Sequence, residues 1–347
     1  MNRTFSIVII LYNQMEFISE CLDSIIAQTY PCNEIIVIDD GSTDGGVEIV
    51  KNYVASYPKI IKLYQQKNSG AFIARATGMT MVTSDYMIVM DADDCLRGDA
   101  LEILNNELSH KKWDIVFYNA SREAKMKKKF YHFPDEMTNK KNIDIDILKN
   151  LICTTSDLNT MWAKCIKASL IDDKEVFRYG QGIPNGQDKV HSLYFIDKAE
   201  ESTFIDENLY YYRCNYSSRT NTFNVNAFSS TKRLMDITFM YAKKWYGEVL
   251  AEEKCRKYFG EACFTRAYYS LTMNKDWNKA WGYLETIMND SIFEKYIVYY
   301  FPSKSYAKFF NALKSKNKVA INFYWRKYRI ETTVKRCIKQ TAERILD

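Results

Sequence analysis

Four short apolar runs in the first hundred residues, each a strand's length and separated by helix-length segments, constrain this chain more than any other feature. They are Ser6–Leu11, Glu34–Ile38, Ile60–Tyr64 and Tyr86–Met90. Between the first two, Met15 to Gln28 places Phe17, Ile18, Cys21, Leu22, Ile25 and Ile26 at helical spacing, and Pro31 ends the segment. A helix capped by Thr43 or Asp44 and running to about Tyr57 is predicted next, then one over Ala71–Met81. Strand and helix alternating at this spacing predict a parallel sheet with right-handed crossovers. Trp113–Asn119 reads as a further strand, and the basic run Lys125–Lys129 as a solvated loop or hairpin. From about Asn226 the pattern is almost wholly helical, so a domain boundary is placed near residue 220.

The strand ends are polar. The first run leads into Tyr12-Asn13, the second into Asp39-Asp40-Gly41-Ser42, and the fourth into Asp91-Ala92-Asp93-Asp94. Open parallel sheets bind ligands beyond the carboxyl ends of their strands. Three carboxylates stacked there repel one another and resist desolvation. A hard divalent cation bridging to phosphates relieves that cost. A helix N-terminus does so as well, because Asp99–Leu108 looks helical and acids suit its dipole. The other strand ends favour the cation: a Tyr can stack on a planar base, an Asp can accept the imide N–H of uracil, and Gly41-Ser42 permits a tight turn. Together they describe a nucleotide-diphosphate site.

Composition narrows the alternatives. The 347 residues suit one large α/β domain plus a smaller helical part, and the net charge of +5 is mild. The nine cysteines are scattered without a Cys-x-x-Cys pair, which fits reduced thiols and argues against a zinc site. With three histidines, at 110, 132 and 191, His-based chemistry has little material. Phe5–Tyr12 reads as a strand and not a signal peptide, and no apolar stretch approaches the roughly 20 residues of a membrane span.

Ser6-Ile-Val-Ile-Ile-Leu-Tyr-Asn13, Glu20 to Tyr30, Asp39-Asp-Gly-Ser-Thr-Asp44, Asn68-Ser-Gly70, Ala74-Arg75-x-x-Gly78 and Met90-Asp-Ala-Asp-Asp94 resemble, in order and spacing, the family 2 glycosyltransferases. The resemblance is strong over residues 4–120 and weaker to about 220. It implies the GT-A fold: a Rossmann-like, mainly parallel sheet flanked by helices, here a catalytic domain over 1–220, with a C-terminal helical domain over 221–347. It also implies an inverting transfer from a nucleotide-diphosphate sugar, most often a UDP-sugar, to a glycan, lipid-linked or glycoprotein acceptor, with Mn²⁺ or Mg²⁺ as cofactor. Carried over by position, Tyr12 contacts the base and Asp40, with Asp39, binds uracil. Arg75 lies near the diphosphate or the essential carboxylates. Asp93 coordinates the metal, and Asp91 joins it or reaches the donor ribose or sugar. Arg213, after Leu209-Tyr-Tyr-Tyr212 and before Ser217 and Ser218, approaches the diphosphate. The base is implied at Asp188, opening a helix in Gly186-Gln-Asp-Lys-Val-His191. Met161-Trp162-Ala163-Lys164 resembles a segment lining the acceptor side.

The residues carry their own alternatives: Asp39 and Asp40 as turn and cap residues, Arg75 as a structural ion pair, Asn13 as a turn brace, Asp188 as a helix cap, and Trp162 and Tyr210 to Tyr212 as core. The chain departs from the family where Ile10-Leu11 replaces the common Pro or Thr before the Tyr, where Ala76 follows Arg75 in place of Asn, and where Gln187 replaces a Glu.

Residues 304–347 carry twelve Lys and Arg against three acids, with interleaved aromatics. Such a stretch suits an anionic membrane surface, and equally a helical packing domain or homo-oligomer face. Nucleic acid is not an expected partner, since no recognised module accompanies the charge. The expected location is cytoplasmic, peripheral at the inner face of the membrane. Two other functions compete: a non-catalytic GT-A partner or scaffold of another transferase, against which Asp91, Asp93 and Asp188 argue, and a nucleotidyltransferase, whose Gly-rich phosphate loop is missing after the first strand.

Overall fold

The computed structural model describes residues 2–130, 133–138, 141–183, 186–214 and 224–331. The chain divides into two compact units, 1–216 and 217–347.

The first unit is built on an eight-stranded sheet. Its strands are β1 (Phe5–Leu11), β2 (Glu34–Asp39), β3 (Ile61–Gln65), β4 (Tyr86–Asp91), β5 (Cys95–Leu96), β6 (Ile115–Ser121), β7 (Lys164–Lys167) and β8 (Ser202–Tyr211), in the order β3-β2-β1-β4-β7-β6-β8-β5. Helices α1 (Ile18–Ile26), α2 (Gly46–Ser56), α3 (Ala71–Thr80), α4 (Ala100–His110), α5 (Asp135–Thr138), α6 (Ile145–Thr154) and α7 (Gln187–Lys198) accompany it. β1, β2 and the apolar part of β4 are buried along their length, as near-continuous apolar runs require when both faces of a sheet are covered.

The parallel sheet expected from the alternation holds for β3-β2-β1-β4. Beyond β4 the sheet is mixed: β7 runs antiparallel to both β4 and β6, β5 antiparallel to β8, and β6 parallel to β8. Strand order reverses between β1 and β4, the switch point at which such sheets open a crevice. The register sets the three polar ends side by side there, since Leu11 pairs with Asp39 and Ile10 with Asp91.

Two helix starts differ from expectation. The first helix begins at Ile18, not Met15, because the Met15 N–H is taken by Asp44 Oδ2 at 2.7 Å and residues 14–17 form a turn. Gly45, with φ +89°, stands at the N-cap of α2, while Asp44 Oδ1 accepts the Gly46 N–H at 3.0 Å. Residues 122–130 form no regular element, as a solvated loop predicts.

The second unit is helical: α8 (Ala227–Tyr246), α9 (Glu248–Met273), α10 (Trp277–Met288), α11 (Ser291–Tyr296) and α12 (Lys304–Lys314), with residues 318–331 helical again. Its core is aromatic, the Phe264 ring lying 5.0–6.2 Å from those of Tyr268, Tyr300, Tyr306, Phe309 and Phe310. Among the described residues no helix is long and apolar enough to cross a membrane.

Candidate active site

The switch-point crevice is framed by loops that tie one another down. Asn13 adopts φ +52°, a left-handed conformation that Asn tolerates. Its N–H donates to Ser42 Oγ (3.0 Å), and its Oδ1 accepts the Thr43 N–H (2.8 Å). Asn13 thus braces the turn after β2. Gly41 has φ +79°, and a Cβ there would lie 3.0 Å from the Asn68 nitrogen, so the turn needs glycine twice over. Tyr12, at the mouth of β1, is half-buried.

Asp39 and Asp40 are both buried and both engaged by their own chain. Asp39 Oδ1 accepts the Ser42 N–H at 2.9 Å and closes the turn. Asp40 accepts the N–H groups of Ser69 (2.8 Å) and Gly70 (2.9 Å) and the Gln66 Nε2 (2.8 Å). Its carboxylate thereby fixes the segment that opens α3. An ionised carboxylate offers about four acceptor directions, so Asp40 retains one.

α3 lies directly on the sheet because Gly78 has no side chain; a Cβ there would sit 2.4 Å from Val8 Cγ1. That close approach carries Arg75 to the centre of the site. Its side chain is 4 % exposed, with Nη1 2.9 Å from Asp188 Oδ1 and Nη2 4.0 Å from Asp91 Oδ1. The contact with Asp188 is an ion pair off the hydrogen-bonding axis, so Nε and Nη1 have no aligned acceptor among the described residues. One cation therefore joins the carboxylate at the end of β4 to the carboxylate that opens α7.

The surrounding protein raises the Asp91 carboxyl above its ordinary value; Arg75 pulls it down, while Asp188 and Asp93 add to the rise. Its side chain still keeps 42 % of its surface accessible, which is how a cation would reach it. Asp94 differs. It is 1 % exposed, and it does not cap the following helix, whose N-cap position is Asp99. Instead Asp94 Oδ2 accepts from the Tyr210 hydroxyl (2.7 Å), and Oδ1 accepts the Arg213 N–H (2.8 Å). The Tyr210 oxygen also accepts the Asp91 N–H at 3.3 Å. Burial, then the charges of Asp91 and Asp93, raise the Asp94 carboxyl well above the ordinary carboxylate range.

Arg213 works on the same loop. Nε donates to the Asp93 carbonyl (2.8 Å), Nη2 to Glu20 Oε2 (2.6 Å), and the guanidinium lies 4.9 Å from the centre of the Phe17 ring. These contacts hold the carboxylate loop and α1 together. Ser217 and Ser218 lie outside the described residues. Trp162 is buried and stacks on Tyr210 (5.1 Å) and Tyr212 (5.4 Å), as a core residue does.

Asp188 sits in the first turn of α7, with Gly186 at the N-cap, and its Oδ2 lies 3.4 Å from the Met161 nitrogen. Beneath it Lys164 is 1 % exposed and donates to the carbonyls of Leu158 (3.0 Å) and Thr160. Burial lowers Lys164 to about 7, with Asp188 acting in the opposite sense. His191, one turn along α7, stacks on Phe72 at 4.3 Å. Burial and then the Arg75 charge hold its imidazole well below the usual range, so it is a neutral packing residue. Sequence reasoning missed the work of Tyr210, Glu20 and Lys164. Each acts on a residue far along the chain, and no local pattern marks it.

The described residues contain no group of three or more His, Cys, Asp or Glu that could hold a metal. Asp91 and Asp93 supply hard oxygens, and the like charge that raises Asp91 is what a divalent cation would offset. Ions such as Mg²⁺ are commonly held by one or two carboxylates together with substrate phosphates. The residues present fit that arrangement.

Residues 6–163 match the family model Glycosyl transferase family 2. The chain is 30 % identical over 216 residues to the glycosyltransferase GlyA of Streptococcus pneumoniae, covering 60 % of this chain and 30 % of that protein. It is 30 % identical over 211 residues to a poly(ribitol-phosphate) beta-glucosyltransferase of Bacillus spizizenii, covering 60 % and 32 %. It thus spans about a third of the length of these two relatives. Among solved structures, S. aureus TarS 1-349 in complex with UDP-GlcNAc superposes with a TM-score of 0.66 at 15 % identity, over 94 % of this chain and 92 % of that one. Its sheet, its switch-point crevice and the matched motifs make residues 6–163 a glycosyl transferase family 2 domain, on the GT-A fold.

Proposed function

We propose that this chain is an inverting glycosyltransferase that moves a sugar from a UDP-sugar to a hydroxyl of a glycan, lipid-linked or glycoprotein acceptor. The observation that carries the reading is Arg75 standing between Asp91 and Asp188. It sets a phosphate-side carboxylate and a proton-accepting carboxylate a single guanidinium apart. Tyr12 stacks on the base, and the remaining acceptor direction of Asp40 takes the uracil imide N–H. Arg75 positions the Asp91 and Asp188 carboxylates on the diphosphate side of the site. Asp91 and Asp93 are the ligands of Mg²⁺ or Mn²⁺, which when bound supplies positive charge for the departing diphosphate. Arg213 acts by holding the Asp93 loop, a narrower role than direct phosphate contact.

In the reaction, the acceptor hydroxyl gives its proton to Asp188 as its oxygen bonds to the anomeric carbon. The bond from that carbon to the diphosphate oxygen breaks, and its electron pair leaves with the UDP. Attack opposite the leaving group inverts the centre. The names of the relatives favour a polymeric acceptor, since one acts on poly(ribitol-phosphate). A UDP-sugar donor agrees with the UDP-GlcNAc held by TarS. Work at the cytoplasmic face of the membrane agrees with cysteines scattered along the sequence without a Cys-x-x-Cys pair.

Asp188→Asn is the test. It should bind UDP as the wild type does and lose sugar transfer by about 10²-fold or more, the scale of a lost general base. Near-normal turnover in that variant removes Asp188 from the role. Absence of UDP-sugar turnover in the wild type, with UDP still bound, favours the scaffold reading.

A further inference from the structure

We propose that the helix over residues 318–331, with Trp277 beside it, docks the second unit on an anionic lipid surface. One face of this helix is committed to the protein. Ile321 is fully buried, and the Trp325 Nε1 donates to the Asn274 carbonyl at 3.1 Å. The Tyr324 ring lies 5.6 Å from Phe309, and Tyr328 lies 5.0 Å from Tyr268.

The opposite face carries large apolar groups into solvent. Val319 is 82 % exposed, Phe323 64 % and Ile330 65 %. Their spacing puts them on one stripe of the helix. Lys318, Arg326 and Lys327 are exposed among them, and Glu331 is the single acid in the segment. A cavity of about 540 Å³ opens beside the stripe, lined by Trp277, Lys318, Val319, Asn322, Phe323 and Arg326. Lys275 and Lys279, exposed at the start of α10, add positive charge next to Trp277.

The pattern selects its occupant. A second copy of the chain meeting this face would set the same bases against one another. Nucleic acid would answer the bases and leave Val319 and Ile330 uncovered. A membrane surface answers both. Apolar side chains enter the boundary between head groups and acyl chains while the bases reach anionic head groups on their long stems. Tryptophan favours the same depth. The expectation from the composition of 304–347 thereby narrows to a defined face; Lys335, Arg336, Lys339 and Arg344 lie outside the described residues. This inference does not depend on the donor, the base or the reaction.

The test is co-sedimentation of the full chain with phosphatidylcholine vesicles, with and without phosphatidylglycerol. The wild type should partition onto the mixed vesicles, not the neutral ones, and added salt should weaken it. Lys318→Glu with Arg326→Glu should lower partitioning by more than tenfold, since each base near an anionic surface is worth about fivefold. Val319→Ser, Phe323→Ser and Ile330→Ser together should abolish it with the helical signal unchanged; if the triple variant melts early, Phe323→Ser alone serves. Failure of the wild type to bind mixed vesicles overturns the proposal, as does undiminished binding by the apolar variants. A change of oligomeric state in those variants also overturns it, by showing that the face meets a second copy.

Discussion

Tyr210→Phe is the most informative single change in the first unit. The Tyr210 side chain is fully buried, and its ring stacks on Trp162 at 5.1 Å, so phenylalanine keeps the packing and deletes the hydroxyl alone. Two hydrogen bonds go with it: the one donated to Asp94 Oδ2 at 2.7 Å and the one accepted from the Asp91 N–H at 3.3 Å. Asp94 is 1 % exposed, so bulk solvent does not replace the lost donor. A neutral hydrogen bond is worth about 1 kcal/mol, so the loss of two is expected to cost about 2 kcal/mol. For a unit of this size that lowers the melting temperature by about 4–8 °C. The change also frees the loop bearing Asp91 and Asp93, and displaced catalytic groups cost about tenfold or more in turnover. Calorimetric melting and metal-dependent UDP-sugar turnover read the two effects. A variant that melts with the wild type and turns over as fast would refute the claim that β8 holds the carboxylate loop through this hydroxyl.

Two further outcomes follow from the same geometry. Glu34 is buried, and burial raises its carboxyl; donors from Ser6, Thr83 and Lys62 outweigh that and leave it below its ordinary value. A carboxyl lowered in the folded state stabilises fully above its unfolded pKa, about 4.3, and loses that stabilisation as pH falls through the folded value. Glu34→Gln should therefore cost about 2 kcal/mol near neutrality and progressively less below about pH 4, read by denaturant melts across pH. Because the described residues hold no cluster of three or more metal-ligating groups and the proposed cation site rests on Asp91 and Asp93 alone, Mn²⁺ titrated calorimetrically into the protein alone should bind weakly. It should tighten at least about tenfold with UDP present, and Asp93→Asn should erase that gain; tight Mn²⁺ binding without nucleotide would contradict the two-ligand site.

Much of the first unit was legible from residues alone. Buried parallel strands must be apolar throughout, and their ends must turn through glycine and acid. Hence β1, β2 and β4 and the polar ends at Tyr12, Asp39 and Asp91 stood out in the sequence. The sheet beyond β4 was not legible as mixed, because a short strand such as Lys164–Lys167 carries no mark of its direction. The helix start at Ile18 was displaced by a hydrogen bond between two loops, from the Met15 N–H to Asp44, that no local propensity contains.

The sequence by itself determined which residue types stand at the strand ends, because the period of a strand and the chemistry of a turn are local. Tertiary structure alone decided how those residues divide the work. Asp39 and Asp94 are taken up by backbone and tyrosine donors, Asp40 keeps one acceptor direction beside the three donors of its own chain, and Asp91 and Asp188 meet across Arg75. The reason is physical: a carboxylate's role is set by which donors and charges lie within a few ångströms. Here those neighbours come from strands and helices far apart along the chain.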